Sequence, residues 1–155
     1  ARDVGGSKEA FAAMMNRRAA SLGMRSSHFV NPHGLTEEGQ FSTARDIALL
    51  ARAAYQRPEI RRHLQVREYE FVHSDGRTKK LENTNDLLDQ LPYATGMKTG
   101  TTRASGKCLV SSAELNGRVA IGVILGSTKQ SIWDDSESLM RWALEFPAAR
   151  PVAVE

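Results

Sequence analysis

Lys98-Thr99-Gly100-Thr101 sets a cation, a hydroxyl, a residue without a side chain and a second hydroxyl in succession within the Gly- and Thr-rich stretch ATGMKTGTTRASGKCLV. An ammonium beside a hydroxyl can fix an anionic or carbonyl group, and a glycine in a strand lets a second extended backbone approach closely. From the Lys-Thr-Gly tripeptide alone, a charged strand end after a turn is the favoured reading. The other reactive side chains are weaker candidates. His28 and His33 lie in a loop without carboxylates at zinc-site spacing, and His63 and His73 fare no better, so all four read as surface or turn histidines. Cys108 falls in an alternating segment with no histidine paired to it, which predicts a buried structural thiol. Gly96-Met97-Lys98-Thr99 lacks the Gly-x-x-x-x-Gly-Lys spacing of a phosphate loop. No metal and no cofactor is expected.

The elements that must position Lys98 can be read from period and punctuation. Ser7, the apolar series Phe11, Met14, Met15, Ala19 and Leu22, and then Gly23 predict a capped helix. SSHFVNPHGLTEEGQFS has no period and holds Pro32, Gly34 and Gly39, which predicts an ordered surface loop. A second helix is expected after Ser42, with Thr43 and Asp46 at capping-box spacing and Ile47, Leu50, Ala51 and Ala54 on its apolar face. Pro58 opens a further helical turn, and VREYEFV, Asp75-Gly76 and RTKKLEN predict a hairpin. After NTNDLLDQL, a loop with one helical turn, the segment from Lys98 to Leu125 is expected as a pair of antiparallel strands around Asn116-Gly117, with Lys98 at a strand start. Ile132 to Phe146 has helical period and is bounded by Pro147, its Trp133, Trp142 and Phe146 predicting packing on the sheet.

This order predicts an α+β fold, an antiparallel sheet covered by helices. The 155 residues, 41% hydrophobic and 25% charged, suit one globular domain. The formal charge of +3 is spread along the chain and matched by acids, which argues against nucleic acid as a partner. The longest apolar run, Val119 to Leu125, is far short of the roughly 20 residues that span a bilayer. With one cysteine there is no intrachain disulfide. Arg17-Arg18 and Arg61-Arg62 read as solvated helix faces.

Taken together, MKTGTTRASGKCLVSSAELNGRVAIGVILGS, FVNPHGLTEEGQFSTARDIALLA and ENTNDLL resemble the serine D-Ala-D-Ala carboxypeptidases, the low-molecular-mass penicillin-binding proteins, from about Ser7 to Phe146. The resemblance implies the penicillin-binding-protein and β-lactamase-like transpeptidase fold and an acyl-enzyme mechanism with three motifs. A Ser-x-x-Lys serine attacks the D-Ala-D-Ala carbonyl, Ser-x-Asn sits opposite, and Lys-Thr-Gly closes the cleft. Carried over, Lys98 supplies positive potential and shares the proton network, and Thr99 holds the substrate's terminal carboxylate. Gly100 leaves room for the peptide, and Thr101 stands where a backbone N–H completes the oxyanion hole, worth on the order of 3 kcal/mol. Arg45 is a possible cleft neighbour, although Asp46 beside it also suits helix capping. The implied partners are peptidoglycan stem peptides ending in D-Ala-D-Ala and, as inhibitors, β-lactams, in an extracytoplasmic compartment.

The sequence departs from this pattern in one respect. No serine has a lysine three residues on, and no Ser-x-Asn occurs. The expectation is that residues 1–147 are the C-terminal portion of a D,D-peptidase catalytic domain, that 148–155 are a tail or linker, and that the missing N-terminal half carries the nucleophile. The chain alone is expected to be inactive. A D,D-endopeptidase of the same family and a non-catalytic peptidoglycan-binding fragment are the alternatives.

Overall fold

The computed structural model describes residues 1–146; the helix bound expected at Pro147 and the tail expected over 148–155 lie outside the described residues. The elements run α1 (Arg2–Gly5), α2 (Lys8–Ser21), α3 (Ala44–Tyr55), α4 (Pro58–Leu64), β1 (Glu68–Val72), β2 (Thr78–Glu82), α5 (Leu87–Gln90), β3 (Ala94–Thr102), β4 (Gly106–Leu115), β5 (Arg118–Ser127) and α6 (Ile132–Glu145). The local signals account for most of these bounds. Ser7 Oγ accepts from the Ala10 N–H at 3.0 Å, satisfying one orphan donor at the start of α2. Gly23, at φ 81°, supplies the left-handed turn that ends it. Asn116 and Gly117, at φ 52° and 74°, make the tight connection that brings Leu115 opposite Arg118.

Two sheets result. β1 and β2 form an antiparallel ribbon with every residue exposed, and β3, β4 and β5 form an antiparallel sheet in that order. The expected pair of strands is therefore three. The Lys98 stretch is itself a strand that begins at Ala94, so Lys98 sits mid-strand and not at a strand start. Gly96 and Gly100 interrupt the alternation that would have marked the segment.

The two faces of the sheet are covered by different helices. On β5, a Cβ built at Gly122 would meet Met140 Cε and Leu139 Cδ2 of α6, while Val119 and Ile121, of opposite parity, line a groove with Ala48 and Leu49 of α3. On central β4, Ser111 Oγ lies within 3.5 Å of the Gly122 carbonyl on the α6 side. Ser112 Oγ meets Thr95 Oγ1 at 2.8 Å, and Thr95 Oγ1 meets Tyr55 Oη of α3 at 3.4 Å. The buried apolar core lies under α6: Leu87, Leu91, Leu109, Ala113, Ile132, Met140 and Leu144.

Three expectations change in this setting. The α2 stripe is not sealed: only Ala12 and Ala19 of the helix are buried, and Phe11, Met14 and Met15 line an open apolar groove with Leu50 of α3. Trp142 and Phe146 are 68% and 61% exposed, because α6 turns Met140 and Leu144 to the core and Trp142 outward, and Phe146 follows the helix's last residue in extended backbone. Asp46 does not complete a capping box. Thr43 Oγ1 accepts from the Asp46 N–H at 3.2 Å, but the buried Asp46 carboxylate takes the Ser26 N–H at 2.8 Å and the Ser27 hydroxyl at 2.7 Å, tying the preceding loop to α3.

Candidate active site

Lys98, Thr99, Gly100 and Thr101 pair across β3 with Val110, Leu109, Cys108 and Lys107. Strand alternation therefore puts Lys98 and Gly100 on one face and Thr99 and Thr101 on the other, the face that carries core residue Leu109. β3 is an edge strand, and a cleft of about 530 Å³ wraps around these four residues. A Cβ placed on Gly100 would meet nothing within 4 Å, so the strand is open to an approaching backbone at that point.

The rest of the lining comes from elements distant in sequence. His33, Gly34 and Leu35 reach the cleft from the long loop, Thr84 from the turn before α5, Lys107 and Cys108 from β4, and Ile132 and Trp133 from the start of α6. The loop is a rigid arm. Asn31, only 1% exposed, donates through Nδ2 to the Leu35 carbonyl and to Glu37 Oε2, each at 2.9 Å, and accepts the Gly34 N–H at 2.8 Å. The Asn31 amide, followed by the Lys8 ammonium at 3.0 Å, holds the Glu37 carboxyl below its ordinary range. His33 Nδ1 accepts from the Leu35 N–H at 3.2 Å.

The electrostatics of the cleft are one-sided. Lys98 and Lys107 line it, no Asp or Glu does, and among the described residues neither lysine forms an ion pair. Among the described residues, Lys98 Nζ donates only to the Thr99 carbonyl. Thr99 Oγ1 lies 2.7 Å from Thr84 Oγ1. Such a site attracts an anion and offers it hydroxyl donors.

The structure brings Lys98, Thr99, Gly100 and Thr101 together in one cleft and places Arg45 elsewhere. Arg45 lines the groove between α3 and β5, with Arg52 and Val119. Cys108 is not the buried thiol expected; it is half-buried at the cleft, its Sγ 3.5 Å from the Ser105 carbonyl, because Gly100 opposite it has no side chain to cover it. The sequence left Thr84 and Lys107 without a role, and presented His33 as a surface or turn histidine and Trp133 as packing on the sheet, not as cleft residues. ENTNDLL pointed to the turn that carries Thr84, and nothing in the local sequence marks the other three. Among the described residues no three His, Cys, Asp or Glu side chains gather as a metal site.

A protein family described as D-alanyl-D-alanine carboxypeptidase matches residues 1–129. The D-alanyl-D-alanine carboxypeptidase DacC of Escherichia coli K12 is 38% identical over 147 residues, which cover 92% of this chain and 35% of that protein. The D-alanyl-D-alanine carboxypeptidase DacF of Bacillus subtilis 168 is 37% identical over 127 residues, 81% of this chain and 32% of that one. The solved D-alanyl-D-alanine carboxypeptidase of Mycobacterium tuberculosis H37Rv superimposes with a TM-score of 0.85 at 30% identity, over 94% of this chain and 57% of that one. The Streptomyces K15 DD-transpeptidase superimposes with a TM-score of 0.79 at 30% identity, over 87% and 55%. The chain thus spans about a third of the length of these curated relatives.

Proposed function

The chain belongs to the D-alanyl-D-alanine carboxypeptidase family, and from that premise we propose that residues 1–147 are the C-terminal portion of a serine D,D-peptidase catalytic domain, with 148–155 a tail or linker. The substrate is a peptidoglycan stem peptide ending in D-Ala-D-Ala, met outside the cytoplasm. The serine nucleophile and the Ser-x-Asn motif come from the part of the family's length that this chain does not cover. One observation carries the reading: the cleft around Lys98 is lined by two lysines without an ion-pair partner among the described residues, four threonines and no acid, the character that suits a peptide with a free C-terminal carboxylate.

The chemistry divides accordingly. Serine Oγ attacks the carbonyl of the penultimate D-Ala, the peptide bond breaks, the terminal D-Ala leaves with a proton on its nitrogen, and water then hydrolyses the ester. Lys98 raises the positive potential where the oxyanion and the carboxylate sit. Thr99 donates to the carboxylate, Gly100 leaves space for the backbone along the β3 edge, and the Thr101 N–H completes the oxyanion hole. The test is acylation by a labelled penicillin of the uninterrupted gene product that contains this chain, beside residues 1–155 alone. Labelling of the first and not the second supports the proposal, with release of D-alanine from a pentapeptide identifying the carboxypeptidase. An unlabelled gene product that cleaves no D-Ala-D-Ala peptide overturns it.

A further inference from the structure

Thr84 and Thr99 touch through their hydroxyls, 2.7 Å apart, from separate elements, and both line the cleft. Thr84 arrives there on a turn anchored on each side. The Asn83 N–H donates to the Arg67 carbonyl at 2.7 Å and Asn83 Nδ2 to the Val66 carbonyl at 2.9 Å. Asn83 Oδ1 accepts the N–H of buried Asn85 at 3.0 Å, and the Asn85 carbonyl accepts the Leu88 N–H at 3.2 Å, leading into the core at Leu87 and Leu88. A residue spliced between two such anchors holds its side chain at a fixed point against β3.

We infer that Thr84 is a positioning residue that fixes the direction of the Thr99 hydroxyl toward an anion; this rests on the reading of the cleft as a carboxylate site. A hydroxyl has one hydrogen to donate and two lone pairs to receive. When Thr99 donates to Thr84, it turns only lone pairs to the cleft, which repel a carboxylate. When Thr84 donates to Thr99, the Thr99 hydrogen is free. A carboxylate only accepts, so its arrival selects the second arrangement, and the run Thr84 to Thr99 to carboxylate strengthens each bond in it. The contact also holds the β-branched Thr99 side chain in one rotamer, so the hydroxyl is aimed before the ligand binds.

The test uses the uninterrupted gene product and two peptides, one ending in free D-Ala-D-Ala and one with its terminal carboxylate amidated. Thr84→Val keeps the shape and removes the hydroxyl. It should raise KM for the free acid by about fivefold to thirtyfold, with a much smaller change for the amide, as loss of support to a charge-assisted bond requires. Thr84→Ser should restore the preference for the acid. In a Thr99→Val background Thr84→Val should have no further effect, since the two act through one bond. An unchanged acid-to-amide preference in Thr84→Val, failure of serine to restore it, or additive effects would overturn the inference while leaving the carboxypeptidase reading intact. An unsubstituted protein that is acylated but shows no preference for the acid would overturn the inference and the carboxylate assignment together; one that is not acylated removes the function itself.

Discussion

Lys98 is exposed and, among the described residues, bonded only to its neighbour's carbonyl, so its removal separates chemistry from folding. Lys98→Ala in the uninterrupted gene product should lower penicillin acylation by on the order of 100- to 1000-fold, with an unchanged thermal midpoint. Unchanged acylation would remove Lys98 from the site. A second residue-scale prediction concerns Glu37. Its carboxyl is held below its ordinary value of 4.5 by Asn31 and Lys8, so the folded state favours the charged form. That contribution is present above pH 4.5 and is lost as pH falls through the lowered value. Glu37→Gln should therefore flatten the acid limb of thermal midpoint against pH and loosen residues 31–40, read by amide exchange. At this scale the sequence showed the Lys-Thr-Gly-Thr run, because type and spacing are local. It could not show Thr84, since a bond between hydroxyls 15 positions apart exists only once the Asn83 turn is folded against β3.

At the scale of elements, the site depends on how β3 and β4 are backed. Leu109, 1% exposed, lies opposite Thr99 and packs in the cluster with Ile132 and Met140. Leu109→Ala should cost about 3 kcal/mol by chemical denaturation, the usual range for deleting a buried leucine. Gly96 marks a second dependency. A Cβ there would lie 2.7 Å from Leu64 Cβ, at φ 139°, so Gly96→Ala should displace α4 from β3 at about 1–3 kcal/mol. An unchanged denaturation midpoint in either variant would mean the packing is softer than described. Caps, the Asn116-Gly117 hairpin and the closing helix were legible because their signals span a few residues. The start of β3 was not, because its glycines hide the period, and α6's orientation was not, because Trp142 and Met140 look equally apolar until the sheet chooses between them.

For the whole molecule, the fold class was legible in the order of elements, but the unsealed surfaces were not, since exposure depends on what packs against what. Among the described residues, strand order leaves β5 as an open edge ten residues long, with Val119 and Leu125 exposed and Val119 lining the groove against Ala48 and Leu49 of α3. Such an edge templates pairing with another chain. Residues 1–155 alone should self-associate in sedimentation, and Val119→Lys with Leu125→Lys should return the chain toward monomer. A monomeric unsubstituted chain would show the edge to be harmless. The β1–β2 ribbon has another consequence. All ten of its residues are exposed, and its anchorage lies at the base, in the Arg67–Asp89 pair and the Asn83 side chain. Its tip, Ser74 to Gly76, is therefore the place where the polypeptide tolerates being cut or lengthened: a tag spliced in there, or a tryptic nick just beyond it after Arg77, leaves Thr84 covalently joined to the three-stranded sheet.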